Sequence, residues 1–194
     1  MCSSDLYVAD PLKLFDCCPF TDGGAAVVLT SEEVARRSRR PVWVLASAAA
    51  SDWMLLGDKR DLSRVPATER AAALAYKQAG LAPTDVDVVE LHDCFTIAEI
   101  VATEGLGLFE PGAGGRAAEK GMTSLGGRVP VNPSGGLKAK GHPIGATGAA
   151  QIAEIVTQLR GDAGPRQVNR ARTGLTHTLG GNTATVLVSL FGRG

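Results

Sequence analysis

A chain of 194 residues with 44% apolar and 21% charged side chains is long enough to bury a sizeable core and has the balance of an ordinary globular protein. Twenty lysines and arginines offset twenty aspartates and glutamates, so the formal net charge is zero, which argues against a nucleic-acid surface while leaving room for a local basic pocket. No apolar run reaches the roughly 20 residues of a membrane span, and no signal peptide is visible. Cys2, Cys17, Cys18 and Cys94 show neither zinc spacing nor a disulfide framework, so a reducing cytoplasm is the expected location.

Met1–Leu6 (MCSSDL) resembles the translation of a sequencing-adapter tail and is expected to carry no biology. Gly24–Thr30 (GAAVVLT) is a short apolar run that predicts a buried strand. Ser31 with Glu32 and Glu33 then opens a short helix, as an N-cap followed by acidic first-turn residues. The basic run Arg36–Arg40, ended by Pro41, reads as a solvated linker. Val42–Ala50 predicts a second buried strand. Thr68–Gly80 predicts an alanine-rich helix, capped by Thr68, stopped by Gly80 and able to sit close to a neighbouring layer. Asp85–Leu91 (DVDVVEL) predicts a strand leading into HDCF, and Thr96–Glu104 a helix just after it. Gly105–Arg128 is glycine-rich without a clean period and reads as a long loop. Ile152, Ile155, Val156 and Leu159 fall at i, i+3, i+4 and i+7, which predicts an amphipathic helix over Thr147–Arg160. Arg172–Thr178 and Thr183–Phe191 read as two final strands joined at Gly180-Gly181. Strands alternating with helices in this order mean a layered α/β fold, and no internal repeat is present.

The three histidines, His92 in LHDCFT, His142 in KGHPIGATG and His177 in LTHTLGG, each fall at a junction of predicted elements. Ligands of α/β folds sit where strands end and helices begin. One such histidine is more simply a neutral ring bonded to the backbone; three sharing the same placement favour a site. Zinc is not expected, because no pair has i, i+4 spacing and no thiolate accompanies them. Cys94 follows His92 by two residues and precedes a helix, whose N-terminus lowers a thiol pKa from about 8.5 and suits it to acid–base work. The competing reading is a small buried apolar side chain. Cys17-Cys18, bounded by Pro19, read as structural.

The segment NPSGGLKAKGHPIGATG, residues 132–148, holds five glycines around His142. Gly135, Gly136, Gly141, Gly145 and Gly148 allow close backbone approach, and Pro143 fixes the chain just after the ring. The following helix N-terminus adds positive potential. Together these suit a developing negative charge on oxygen. Neither GxxxxGK[ST] nor GxGxxG is present, so this is not a phosphate cradle.

At these motifs the sequence resembles the thiolase superfamily over residues 7–194. Asn132-Pro133-Ser134-Gly135-Gly136 followed by Gly141-His142-Pro143 is a specific pattern of that family. HDCF at 92–95 is similar to the sterol-carrier-protein-type branch, where degradative and biosynthetic thiolases carry Asn-Glu-Ala-Phe. Asp22–Thr30 (DGGAAVVLT) resembles the closing strand of the family's N-terminal half. The resemblance implies a layered αβαβα fold built of two similar βαβαβαββ halves. In that fold residues 41–194 are the C-terminal domain, residues 1–40 are a remnant of the mostly missing N-terminal half, and the alanine-rich helix sits in the central layer. It also implies homodimers or homotetramers.

The chemistry implied by the resemblance is the cleavage or formation of 3-ketoacyl-CoA thioesters, with coenzyme A as substrate and no bound cofactor. His142 matches the histidine that activates the nucleophile and helps hold the thioester oxygen. His92 matches the position that completes this first oxyanion hole. Cys94 matches the acid/base thiol, and Gly180 the backbone donor of a second oxyanion hole. Ser134, Gly135 and Gly136 match a substrate-binding segment. Two departures stand out. The family's Cys-x-Gly-Gly reads Thr178-Leu179-Gly180-Gly181 here, and Asn182–Val188 differs from the usual glycine-rich ending. The family's nucleophilic cysteine belongs to the N-terminal half, and Cys2, Cys17 and Cys18 do not match it, so this fragment alone is expected to be inactive. Three functions remain open: an acetyl-CoA acetyltransferase-like enzyme of lipid metabolism; a thiolase-fold aldolase of steroid side-chain degradation working with an OB-fold acyl-CoA-binding partner; and a non-catalytic acyl-CoA or lipid-binding protein.

Overall fold

The computed structural model describes residues 6–194; the expectation for the first six residues, Leu6 excepted, lies outside them, as does Cys2. The described chain opens with β1 (Tyr7–Ala9) and β2 (Leu12–Lys13), a small antiparallel ribbon. A single helical turn, α1 (Glu32–Ala35), follows Ser31, and Arg36 and Arg37 pair with Glu32 and Glu33 one turn back. The main body then runs β3 (Val42–Ser51), α2 (Pro66–Ala79), β4 (Val88–Leu91), α3 (Thr96–Gly105), α4 (Gly114–Glu119), α5 (Gly136–Lys140), α6 (Thr147–Arg160), β5 (Thr173–Gly180) and β6 (Thr185–Arg193). The last four strands form one mixed sheet in the order β3-β6-β5-β4, with β4 parallel to β5 and the other pairs antiparallel.

Each face of that sheet buries its own core. On one face Ala46, Val89, Leu91, Leu175, Val186, Val188 and Leu190 meet Ala67, Ala71 and Ala75 of α2 and Ala102 of α3. On the other, Val88 and Phe191 meet Ile155 and Leu159 of α6. Alternation along β4 sends Val88 one way and Val89 and Leu91 the other, as the two-residue period of a strand requires. The alanines of α2 let it lie close to the sheet, as expected from sequence. α6 comes equally close, because a Cβ at Gly174 of β5 would stand 2.5 Å from Ile155 Cγ2. Gly80 and Gly161, at φ +67° and +79°, end α2 and α6 in the left-handed conformation that favours glycine.

Several expectations are corrected. Gly24–Thr30 has no regular secondary structure and joins no strand among the described residues, and Val28 and Leu29 are 85% and 78% exposed. An apolar run becomes a strand only where a neighbour takes its backbone hydrogen bonds. Among the described residues β3 is an edge strand paired only with β6, and it buries only Ala46 fully, so it is half-buried, not buried. α2 starts at Pro66 with Val65 as its cap, and Thr68 lies inside it, fully buried. The Gly105–Arg128 stretch is broken by α4. α6 spans the predicted residues, but Gln151, Glu154 and Gln158 share its buried face with Ile155 and Leu159, while Ile152 and Val156 are half-buried. No helix among the described residues is long and apolar enough to cross a membrane.

Candidate active site

The site is built at the end of β4. Asn132, with φ +50°, donates its N–H to Val89 O and accepts the Leu91 N–H at Oδ1, both at 2.8 Å. The Asn-Pro-Ser-Gly-Gly turn is therefore sewn onto the strand just before HDCF. One residue past His92, Asp93 Oδ1 accepts the Leu137 N–H at 2.9 Å, which fixes the start of α5 beside the same loop. Asn132 also donates to Glu99 of α3. Burial, reinforced by Asp93, pushes the Glu99 carboxyl up to about 7.

His92 and His142 meet edge to face, with ring centroids 4.8 Å apart and an interplanar angle of 85°. The Thr147 hydroxyl donates to Pro143 O at 3.1 Å, so its oxygen is left to accept from His142 Nδ1 at 2.8 Å. That pairing assigns the His142 proton to Nδ1 and leaves Nε2 as the basic nitrogen. Burial lowers the His142 pKa, partly offset by Asp93, and burial with His142 as neighbour pushes His92 down to about 4. Both rings are therefore neutral near pH 7.

A cavity of about 640 Å³ is lined by His92, Cys94, His142 and Gly180, together with Cys18 and Phe20. The four predicted catalytic positions, drawn from three separate stretches of the chain, thus border one hollow, whose remaining wall is mostly apolar, including Leu56, Ile97, Val101 and Ile144. Gly180 ends β5 opposite Thr185, and three consecutive residues after it, Gly181, Asn182 and Thr183, have φ of +55°, +49° and +64°. For the β-branched Thr183 that conformation costs about 1–3 kcal/mol, and such strain concentrates at functional sites.

The structure departs from the sequence reading at four points. Cys94 lies just before Phe95, the cap of α3, yet its pKa is raised, first by burial and then by Cys18, where a lowered value was expected. Desolvation outweighs the short helix's dipole. His177 is not at a junction: β5 continues to Gly180, and the ring is fully buried, with Nε2 3.0 Å from Thr68 Oγ1. Burial and then His92 push it down to about 3. Ser134, Gly135 and Gly136 do not line the cavity. Ser134 donates its N–H and hydroxyl to Glu90, Gly135 caps α5 at φ +95°, and Gly136 faces the Asp93 carboxylate. Cys18, read as structural, lines the cavity and donates its N–H to Cys94 O at 3.0 Å.

That last contact belongs to a strap, residues 17–21, that sequence reasoning missed. The His142 N–H donates to Pro19 O at 3.2 Å, the Phe20 ring stacks on His142 at 6.0 Å, and Lys138 Nζ donates to Cys17 O at 2.8 Å. Gly141, at φ +87°, has no room for a Cβ beside Thr21. The adjacent cysteines flanked by Pro19 and Phe20 were the available signal.

Gly136 offers a direct test of this packing. Gly136→Ala forces an L-residue to φ +62° and drives its Cβ into the Asp93 carboxylate. The expected loss is at least about 2 kcal/mol in chemical denaturation. Gly145→Ala, where a Cβ meets nothing within 4 Å, is expected to be near neutral.

The family described as thiolase C-terminal domain-like matches residues 48–193. The chain belongs to the thiolase family. It is 56% identical over 187 residues to an acetyl-CoA acetyltransferase of Methanothermobacter thermautotrophicus, covering 96% of this chain and 49% of that protein. It is 42% identical to sterol carrier protein 2 of Oryctolagus cuniculus, covering 96% of this chain and 35% of that one. It is also 42% identical to the benzoylsuccinyl-CoA thiolase subunit BbsB of Thauera aromatica, covering 90% of this chain and 46% of that one. The chain spans about half the length of the acetyltransferase it matches. Among solved structures the Ltp2-ChsH2(DUF35) aldolase superposes with a TM-score of 0.82 over 95% of this chain and 48% of that one, at 24% identity, which shows the shared fold. The layered α/β architecture is therefore that of a thiolase C-terminal domain.

Proposed function

We propose that the complete protein is a thiolase-type acyltransferase that cleaves or forms 3-ketoacyl-CoA thioesters. The observation that carries this reading is the edge-to-face pair His92–His142, bordering one cavity with Cys94 and Gly180. Residues 41–194 serve as the C-terminal thiolase domain and 1–40 as the end of the preceding half, which supplies the nucleophilic cysteine. The 194 residues alone therefore do not turn over. His142, neutral with a bare Nε2, takes the proton of that cysteine. The resulting Nε2–H and the His92 ring then hold the negative charge that builds on the thioester oxygen as the substrate is cleaved. The carbon–carbon bond breaks, and Cys94 gives its proton to the departing carbanion. Burial keeps that thiol protonated at neutral pH, the state an acid needs. Coenzyme A then gives its thiol proton to Cys94 and takes the acyl group, the freed cysteine recovers its proton from His142, and Gly180 donates to the second oxyanion. Ser134, Gly135 and Gly136 act from behind the cavity, shaping the loop. The enzyme works in the cytoplasm as a homodimer or homotetramer.

A second reading, carbon–carbon cleavage of the retro-aldol type with an OB-fold partner, draws on the absence of a cysteine at Thr178. Both are tested by assaying the complete protein on a 3-ketoacyl-CoA with and without free coenzyme A, and on a 3-hydroxyacyl-CoA without it. Thiolysis gives two thioesters and stops when coenzyme A is omitted. Cleavage of the 3-hydroxyacyl-CoA to a carbonyl compound and a shorter acyl-CoA supports the aldolase reading, and binding without any cleavage sinks both.

A further inference from the structure

The chemistry above leaves unused a carboxylate that is fully buried in the middle of β4. Glu90 is 0% exposed, accepts the Ser134 N–H at 3.0 Å and hydroxyl at 2.8 Å, and takes a third contact from Lys140 Nζ at 3.3 Å. Lys140 Nζ lies 3.2 Å from Ser134 Oγ as well, closing a three-membered network. Glu90 stands two residues before His92, and Lys140 two residues before His142. We propose that Glu90, Ser134 and Lys140 are positioning residues that clamp the His142 loop to the strand bearing His92 and so set the spacing of the two imidazoles.

Three observations carry this. The two rings touch only edge to face, and their ring nitrogens share no hydrogen bond, so their spacing must be held from outside. Only Gly141, at φ +87°, separates Lys140 from His142, and a glycine in that conformation is a hinge unless both sides are fixed. The strap holds the far side through the His142 N–H to Pro19 O, and Lys140 holds the near side. A buried ion pair is also a poor source of stability, because desolvation consumes most of the attraction. Replacing the pair with apolar residues would cost the fold little, so its specific service is to fix geometry. Burial pushes the Glu90 pKa up, while Lys140 and the two Ser134 donors pull it back towards the charged form. Among the described residues Ser134 and Lys140 are the groups bonded to Glu90; α6, packed against β4, adds Glu154 with its partner Arg166, whose guanidinium also feels Glu90, and Asp93, on the same loop, is engaged by Leu137.

The clamp rests on reading the two histidines as the reaction centre, and its test separates the two. In the complete enzyme Lys140→Met is expected to lower kcat about 10–100-fold while KM stays within about twofold, the signature of misplaced reacting groups. Lys140→Met also leaves Glu90 without its cation, which raises the carboxyl pKa further. An acid whose folded pKa is raised stabilises the fold at low pH and loses that contribution as pH rises through the folded value. As pH rises above the ordinary carboxyl value of 4.5, the Tm of Lys140→Met is therefore expected to fall more steeply than that of the double variant Glu90→Gln/Lys140→Met. The double variant is expected to regain wild-type Tm but not wild-type kcat, and Lys140→Arg to restore most of kcat. Recovery of kcat in the double variant overturns the proposal, since Lys140 would then only balance a buried charge. If the wild-type protein proves not to cleave 3-ketoacyl-CoA, histidine-selective NMR decides instead. A shifted His142 imidazole with an unmoved His177 in the double variant supports the clamp, and an unmoved His142 overturns it.

Discussion

His142→Ala in the complete enzyme is expected to lower thiolysis about 10²–10³-fold, the range set by losing one group that stabilises an oxyanion. Two functions disappear together. The neutral Nε2 that takes the nucleophile's proton is removed, and so is the Nε2–H that later faces the thioester oxygen. The Thr147 hydroxyl fixes the tautomer that makes both possible. Thr147→Val should therefore reproduce a smaller part of the loss, because the proton is then free to sit on either nitrogen. Acidification gives an independent check. Burial holds the ring below its ordinary 6.5, so activity persists as pH falls past that value and declines only when His142 itself takes up a proton. Asp93 works against burial here, and Asp93→Asn should move the acid limb lower still. Steady-state kinetics on a 3-ketoacyl-CoA, with circular dichroism to confirm the fold, reads all of this. Undiminished thiolysis in His142→Ala would refute the oxyanion assignment.

The parts of this arrangement that sequence made legible are those written in local pattern. α6 was readable because its apolar residues recur at helical spacing, and α2 because alanine runs up to Gly80, which caps it at positive φ. The convergence of His92, Cys94, His142 and Gly180 was readable because the motifs are distinctive and fall at ends of elements. What escaped depends on pairings between distant residues. Gly24–Thr30 has strand composition but no neighbour to bond among the described residues. The sign of the Cys94 shift was misread because a helix start is visible in sequence, whereas burial against Cys18 is not. His177 moved from site to interior because β5 runs on to Gly180. The Cys17–Thr21 strap and the Glu90–Lys140 pair join segments 50 or more residues apart, and nothing local announces either.

Cys94→Ala carries the other large expected effect, a loss of about 10²–10⁴ in turnover, the span of a general acid. In the cleavage direction the thiol must be protonated when the carbon–carbon bond breaks. Burial is the first reason it is, and the neighbouring sulfur of Cys18 and the Asp93 carboxylate add to it by disfavouring a second negative charge nearby. The alkaline limb of wild-type cleavage is accordingly expected above the ordinary thiol value of 9.0. Cys18→Ala removes one of those influences without touching the reacting carbon, so it should leave turnover at neutral pH largely intact and draw the alkaline limb downward. Cys94→Ser keeps a donor of similar size but far weaker acidity, and should fall between wild type and alanine. The condensation direction needs the thiolate instead, so the same raised pKa that aids cleavage should make synthesis climb with pH across the range where cleavage is flat. Opposite pH slopes for the two directions, lost together in Cys94→Ala, are what a single acid–base sulfur requires; near-normal activity in that variant would return Cys94 to the status of a buried packing residue.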